Sequence, residues 1–184
     1  MQEEKGPGGR GRVLSSVSSP SVVVAERVAR CPFSVAHEYV EDFFREAAVQ
    51  GAEVGVRLRD VVPTLGGRLR QPVQLVSARH PDEAESGRAH DQHEISWTAG
   101  TRFFPDFQGT LQLRIVSVEQ TRLTLEGTYR APFGAAGQVF DAVLGRRIAR
   151  ATMRDLLDRL ADAMEQREAA YRGTTASGGS GSTA

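Results

Sequence analysis

The chain has one cysteine, Cys31, in 184 residues. No intrachain disulfide can form, and nothing argues for an oxidising compartment. Cys31 stands between Arg30 and Pro32 at an expected strand-to-helix joint, where a structural role outweighs a nucleophilic one. Lysine is equally scarce: Lys5 is the only one among 23 basic residues, so the other 22 are arginine. A GC-rich coding sequence explains that bias, and a planar guanidinium also suits forked binding of carboxylate or phosphate. Net charge is missing too, because 23 acidic residues balance the 23 basic ones. A neutral total offers no field to draw in nucleic acid or an anionic membrane, so neither is an expected partner.

Long apolar runs are absent. No stretch approaches the ~20 residues that span a bilayer, and Met1 to Arg12 lacks the apolar core of a secretory signal. A cytoplasmic protein without stable membrane insertion is the expectation. The glycines at Gly66-Gly67 and at Gly134 and Gly137 match neither a phosphate-binding loop nor a dinucleotide fingerprint. No nucleophile motif accompanies a Ser/His/Asp set. No cofactor is implied.

What is present is a chain that is 40% apolar and 25% charged, long enough for one domain with a real core. Residues 1–19 are Gly-, Ser- and Arg-rich with little to bury and are expected to be disordered. Residues 173–184 read as a flexible Gly/Ser-rich tail. The domain then covers 20–172.

Ser21 to Arg30 is rich in β-branched residues and reads as a strand, with Val22, Val24 and Val28 on its apolar face and Glu26 among them. Pro32 breaks it and suits a helix entry. Phe33, Val40, Phe43, Phe44 and Ala47 recur at helical spacing, giving a helix over 33–48. Period-two alternation follows, with Val54, Val56 and Leu58 on one face. Leu69, Val73, Leu75 and Val76 belong to the next strand. His93, Ile95 and Trp97 share a face of another. Leu111, Leu113 and Ile115 share a face of the strand after it, and Leu123, Leu125 and Tyr129 a face of the last. Connections this short make the sheet antiparallel. A long helix over about 137–170 carries the stripe Val139, Phe140, Val143, Leu144, Ile148, Thr152, Leu156, Leu157, Leu160 and Met164. Asp155 and Arg159 stand four apart with the acidic residue first, which adds modest helix support. One flat sheet could hardly cover a helix of about 45 Å, so the sheet is expected to curl around it.

Three features resemble one family. The first strand ends in Cys31-Pro32-Phe33 and leads into a helix. A meander of strands runs from Val54 to Arg130. Leu125 to Gly134 (LEGTYRAPFG), with Gly137 and Asp141, then leads through Arg147 to Thr152 (RIARAT) into the terminal helix. Across about 20–170 this resembles the START-like superfamily of helix-grip proteins, also called polyketide cyclase/dehydrase-like or coenzyme Q-binding-like. The resemblance implies an α+β helix-grip fold, with a curved antiparallel sheet of about six or seven strands around the C-terminal helix. It implies a hydrophobic ligand such as a lipid, quinone or polyketide-like molecule. Fold membership alone fixes no activity.

Candidate wall residues for such a ligand are Ile95, Trp97, Leu113, Tyr129, Val143 and Met153. An aromatase/cyclase-type enzyme, a lyase without metal, is the alternative. His93, Glu26 and Tyr129 would be its candidate acid–base groups, provided they converge on one cavity. His80, His90 and His93 invite a metal reading, but His90 and His93 fall on opposite strand faces and no metal is expected. The aromatics Phe103, Phe104 and Phe107 would, if exposed, suit a lid, a homodimer contact or a protein-interaction module without ligand.

Overall fold

The structure is a computed structural model that describes residues 21–64, 66–79, 90–101, 104–130 and 138–178. The β-branched opening forms β1 (Ser21–Ala29). Pro32 ends the strand and precedes α1 (Phe33–Gln50), two residues longer than the spacing predicts. Its carbonyl accepts from the amides of Val35 and Ala36, closing the first turn. Gly51 stops the helix at a positive φ of 88°, a conformation open to glycine without steric cost. Then come β2 (Ala52–Arg57), a short α2 (Leu58–Val61), β3 (Arg68–Arg79), β4 (His90–Thr98), β5 (Asp106–Ser117) and β6 (Gln120–Arg130). Leu58, expected on the β2 face, begins α2 instead. The chain ends in α3 (Gln138–Gly178), which runs past the expected tail boundary at 173.

The six strands pair antiparallel in the order β1-β6-β5-β4-β3-β2. β1 and β2 follow one another in the chain yet form opposite edges. The 18 residues of α1, about 27 Å of helix, carry the chain from one edge to the other. α3 then lies along both edge strands and approaches β4 and β5 far less closely. Asp158 of α3 shows how far the sheet has curled. It sits 3.4 Å from Arg27 of β1 and 3.4 Å from Arg57 of β2, so one carboxylate links the two edges. Arg30 also pairs with Glu165, and Arg167 with Asp42 and Glu46, which fastens α3 to the end of β1 and to α1.

The element order, the curled antiparallel sheet and the gripped terminal helix make this an α+β helix-grip fold. The core lies between the inner sheet face and α3. Ile95, Trp97, Leu111, Leu113, Leu123 and Leu125 project into it from the sheet, and Met153, Leu157, Leu160 and Met164 from the helix. Two readings of faces differ from expectation. On β1 the buried residues are Val23, Ala25 and Ala29, while Val22, Val24 and Val28 are exposed. β1 is apolar on both faces, so valine content does not identify the inner one. The small alanines face in because α3 packs directly on this strand. On α3 the buried face is wider than the predicted stripe and takes in Ala149, Ala151 and Ala161.

It also takes in Asp155, which is no surface partner: it is 3% exposed. Arg68 of β3 donates to its Oδ1, and Arg159 Nε lies 3.3 Å from Oδ2, poorly aligned for a hydrogen bond. Gly55 of β2 makes room for this carboxylate, since a Cβ there would meet Oδ2 at 2.6 Å.

Candidate functional site

Strand registry sets the inner face in rows. Trp97, Phe107 and Tyr129 are cross-strand neighbours, as are His93, Leu111 and Leu125. β3 extends both rows, with Leu75 beside Trp97 and Arg79 beside His93. The first row is aromatic. Trp97 stacks on Phe107 at a centroid distance of 4.2 Å and donates its indole N–H to the Pro105 carbonyl at 3.0 Å. Gly109 and Gly127 pair directly below, and the Phe107 ring rests over them.

The second row carries the polar chemistry. His93 is 1% exposed, the most buried ionisable side chain among the described side chains of the sheet. Its Nε2 lies 3.6 Å from Oδ2 of Asp91, two residues back on the same face. Asp91 Oδ1 accepts from Arg79 Nε at 3.1 Å, and Arg79 reaches Glu41 of α1 at 3.2 Å. The groups run Glu41, Arg79, Asp91, His93 from the rim inward. Burial holds the His93 pKa below the ordinary histidine value, outweighing the pull of Asp91 in the other direction. His93 is therefore neutral at pH 7. A cleft of about 470 Å³ between α1 and β3 opens onto this row. Phe44, Ala48 and Leu75 supply apolar wall, and Arg79 and His93 supply polar wall.

This neutral burial has a stability consequence. The unfolded chain binds a proton to His93 near pH 6.5, and the folded chain binds it at lower pH. The contribution of neutral His93 is complete above pH 6.5 and is lost as pH falls through the depressed folded value. Asp91, Arg79 and Glu41 are the charged groups that face His93. Urea midpoints at pH 8 and pH 5.5 should fall for the native sequence and fall less for His93→Gln. Equal falls would assign the pH dependence to other groups.

The sequence-predicted residues do not all meet. Ile95, Trp97, Leu113 and Met153 are buried together in the core, and Tyr129 joins them at 6% exposure. Val143 lies on α3, with its side chain outside the described residues. Glu26 does not face inward. It follows the outer face of β1, is exposed, and accepts from Thr124 Oγ1 at 3.5 Å. His93 and Tyr129 stand two strands and four residues apart, roughly 15 Å by strand geometry. The trio required for acid–base work at one point is thus not assembled. Phe104 and Phe107 are buried rather than exposed; Phe103 lies outside the described residues, as does His80, and so does the side chain of His90. Among the described residues no group of three or more His, Cys, Asp or Glu side chains is placed to hold a metal. Burial, and Glu168 after it, push the Cys31 thiol up to about 12, so it carries no thiolate at neutral pH. Sequence reading missed the contribution of Arg79 and Glu41. The i, i+2 spacing of Asp91 and His93 was the available signal, since it puts both on one strand face.

No family model and no curated protein matches the chain. Solved structures do, at low identity. A START superfamily protein of Mycobacterium smegmatis is 13% identical, with 82% of this chain and 98% of that one covered and a TM-score of 0.42. The Zhui aromatase/cyclase of Streptomyces sp. R1128 is 14% identical, with 79% and 89% covered and a TM-score of 0.38. A protein of Thermus thermophilus is 18% identical, with 82% and 99% covered and a TM-score of 0.41. The fold assignment rests on this chain's own strand order and helix placement. Within the described residues, no helix is long and apolar enough to cross a membrane.

Proposed function

We propose that the protein binds a small hydrophobic ligand, such as a lipid, quinone or polyketide-like molecule, between the sheet and α3. The carrying observation is the cleft of about 470 Å³ between α1 and β3, which lies beside that space and reaches the inner sheet face at Leu75 and His93. Its volume is within the range of small-molecule sites, and its wall combines Phe44, Ala48, Leu75 and Val76 with the polar Glu41, Arg45, Ser77, Arg79 and His93. The curl of the sheet supports the reading as well. α3 rests on the edge strands, so α1 and large side chains cover the space over β4 and β5. Repositioning Trp97, Phe107 or Met153 would lengthen the cleft inward without breaking a strand pair. Ile95, Trp97, Leu113, Tyr129 and Met153 are the wall residues of this proposal.

Native mass spectrometry of the protein purified from its source organism tests it. The expected spectrum shows an added mass of a few hundred daltons, lost on organic extraction and restored by adding the extract back. A bare protein that regains nothing from the extract overturns the reading. Glu26 on the outer face leaves the acid–base alternative without one of its three groups.

A further inference from the structure

The neutral total of the chain conceals a local excess of positive charge. Residues 146–154 of α3 hold the arginines Arg146, Arg147, Arg150 and Arg154 and no acidic residue. All of these arginines are exposed. Helical geometry puts them within an arc of about 100° and along about 12 Å of the helix. Farther along α3, Arg159, Arg167 and Arg172 each pair with a carboxylate. Among the described residues no carboxylate pairs with Arg146, Arg147, Arg150 or Arg154. The nearest acids in the chain are already engaged. Asp155 is enclosed between Arg68 and Arg159, and Asp158 is held by Arg27 and Arg57. Arg146, Arg150 and Arg154 also follow one another at a spacing of four, and like charges so placed weaken a helix. A coding bias toward arginine explains the absence of lysine here, but not the absence of acidic partners.

We propose that this stripe docks the protein on an anionic phospholipid surface, with this part of α3 against the headgroups. Docking of this kind is peripheral, since no helix among the described residues is long and apolar enough to cross a bilayer. Each arginine beside an anionic leaflet tightens binding about fivefold, so the stripe makes a reversible, salt-sensitive dock. Apolar side chains stand beside it. Leu144 and Ile148 on α3 are only partly covered. Leu69, 48% exposed, adjoins Arg68, whose guanidinium reaches the residue after Arg154. Apolar groups between arginines suit a lipid interface. A nucleic acid fits less well. The described aromatic that is more than half exposed is Tyr171, about 25 Å along α3 from Arg154, so no base-stacking surface flanks the stripe. Docking needs no bound ligand and stands or falls apart from the hydrophobic-ligand reading.

Co-sedimentation of the full chain with lipid vesicles tests the proposal. Vesicles of phosphatidylcholine containing phosphatidylglycerol should carry the protein down, and vesicles of phosphatidylcholine alone should not. Added salt should release it. Combining Arg146→Gln, Arg150→Gln and Arg154→Gln should lower the partition coefficient on the order of a hundredfold. The same three changes to lysine should keep the binding, because the charge is what acts. Arg114→Gln with Arg122→Gln is the control: it removes two exposed arginines from the outer face of β5 and β6 and should leave binding unchanged. Circular dichroism should show each variant folded. The phosphatidylglycerol and salt dependence of the native sequence needs no variant at all. Binding indifferent to phosphatidylglycerol, a glutamine variant that still binds fully, or an equal loss in the control overturns the proposal. So does tighter binding to a duplex oligonucleotide than to the vesicles at the same salt, which would assign the stripe to nucleic acid.

Discussion

Asp155→Ala should destabilise the fold by about 3 kcal/mol, measured by urea unfolding. The carboxylate is almost fully enclosed and stands between Arg68 and Arg159. Burial already lowers the pKa of Arg159, and Asp155 is the largest influence opposing that shift. Removing it leaves two guanidinium groups facing each other at the joint of α3, β2 and β3. Each arginine keeps about a third of its side chain exposed, so water recovers part of the loss. The figure therefore sits at the low end for breaking a buried pair. Arg70→Ala is the control. Arg70 pairs with Glu53 at 3.6 Å across an exposed rim and should change stability by less than about 0.5 kcal/mol. If the two substitutions cost the same, Asp155 is no buried anchor.

Gly109→Val should cost about 3 kcal/mol, although valine is a good strand former and glycine a poor one. A Cβ at 109 would meet the Glu126 carbonyl, the Gly127 Cα at 2.6 Å and the Phe107 ring at 2.7 Å. Two of these three obstacles are backbone atoms of the neighbouring strand. Trimming the ring cannot clear them, so Gly109→Val combined with Phe107→Leu should recover little. Thermal unfolding monitored by circular dichroism gives both values. Full recovery in the double variant would show that only the ring needs the space.

The order of elements was legible from patterning. Pro32, Gly51 and the alternation along β4, β5 and β6 announce their boundaries and inner faces directly. β1 resisted because both of its faces are apolar, Val22, Val24 and Val28 on one and Val23, Ala25 and Ala29 on the other, and hydrophobicity ranks the valine-rich face first. Packing against a helix ranks the smaller residue first. Asp155 resisted for a related reason. At i, i+4 from Arg159 it reads as a solvated pair, and only the arrival of β2, with Gly55 beneath it, encloses it. The site was half legible. His93 could be assigned to a face from its strand neighbours, but Arg79 and Glu41 reach it across the β3–β4 pairing and from α1. Those contacts depend on curvature, which local sequence does not encode.

Among the described residues the cationic partners in the ion pairs on α3 are arginines, and the guanidinium does not react with amine-directed reagents at neutral pH. Lys5, ahead of β1, is the chain's only ε-amine. Among the side chains of this sequence an activated ester should therefore label Lys5 alone, and a dye or a surface can be attached there while the arginine charges that grip the helix are retained. Acetylation or ubiquitination at lysine is confined to that same leading stretch. Regulation that acts on the folded domain must use some other chemistry.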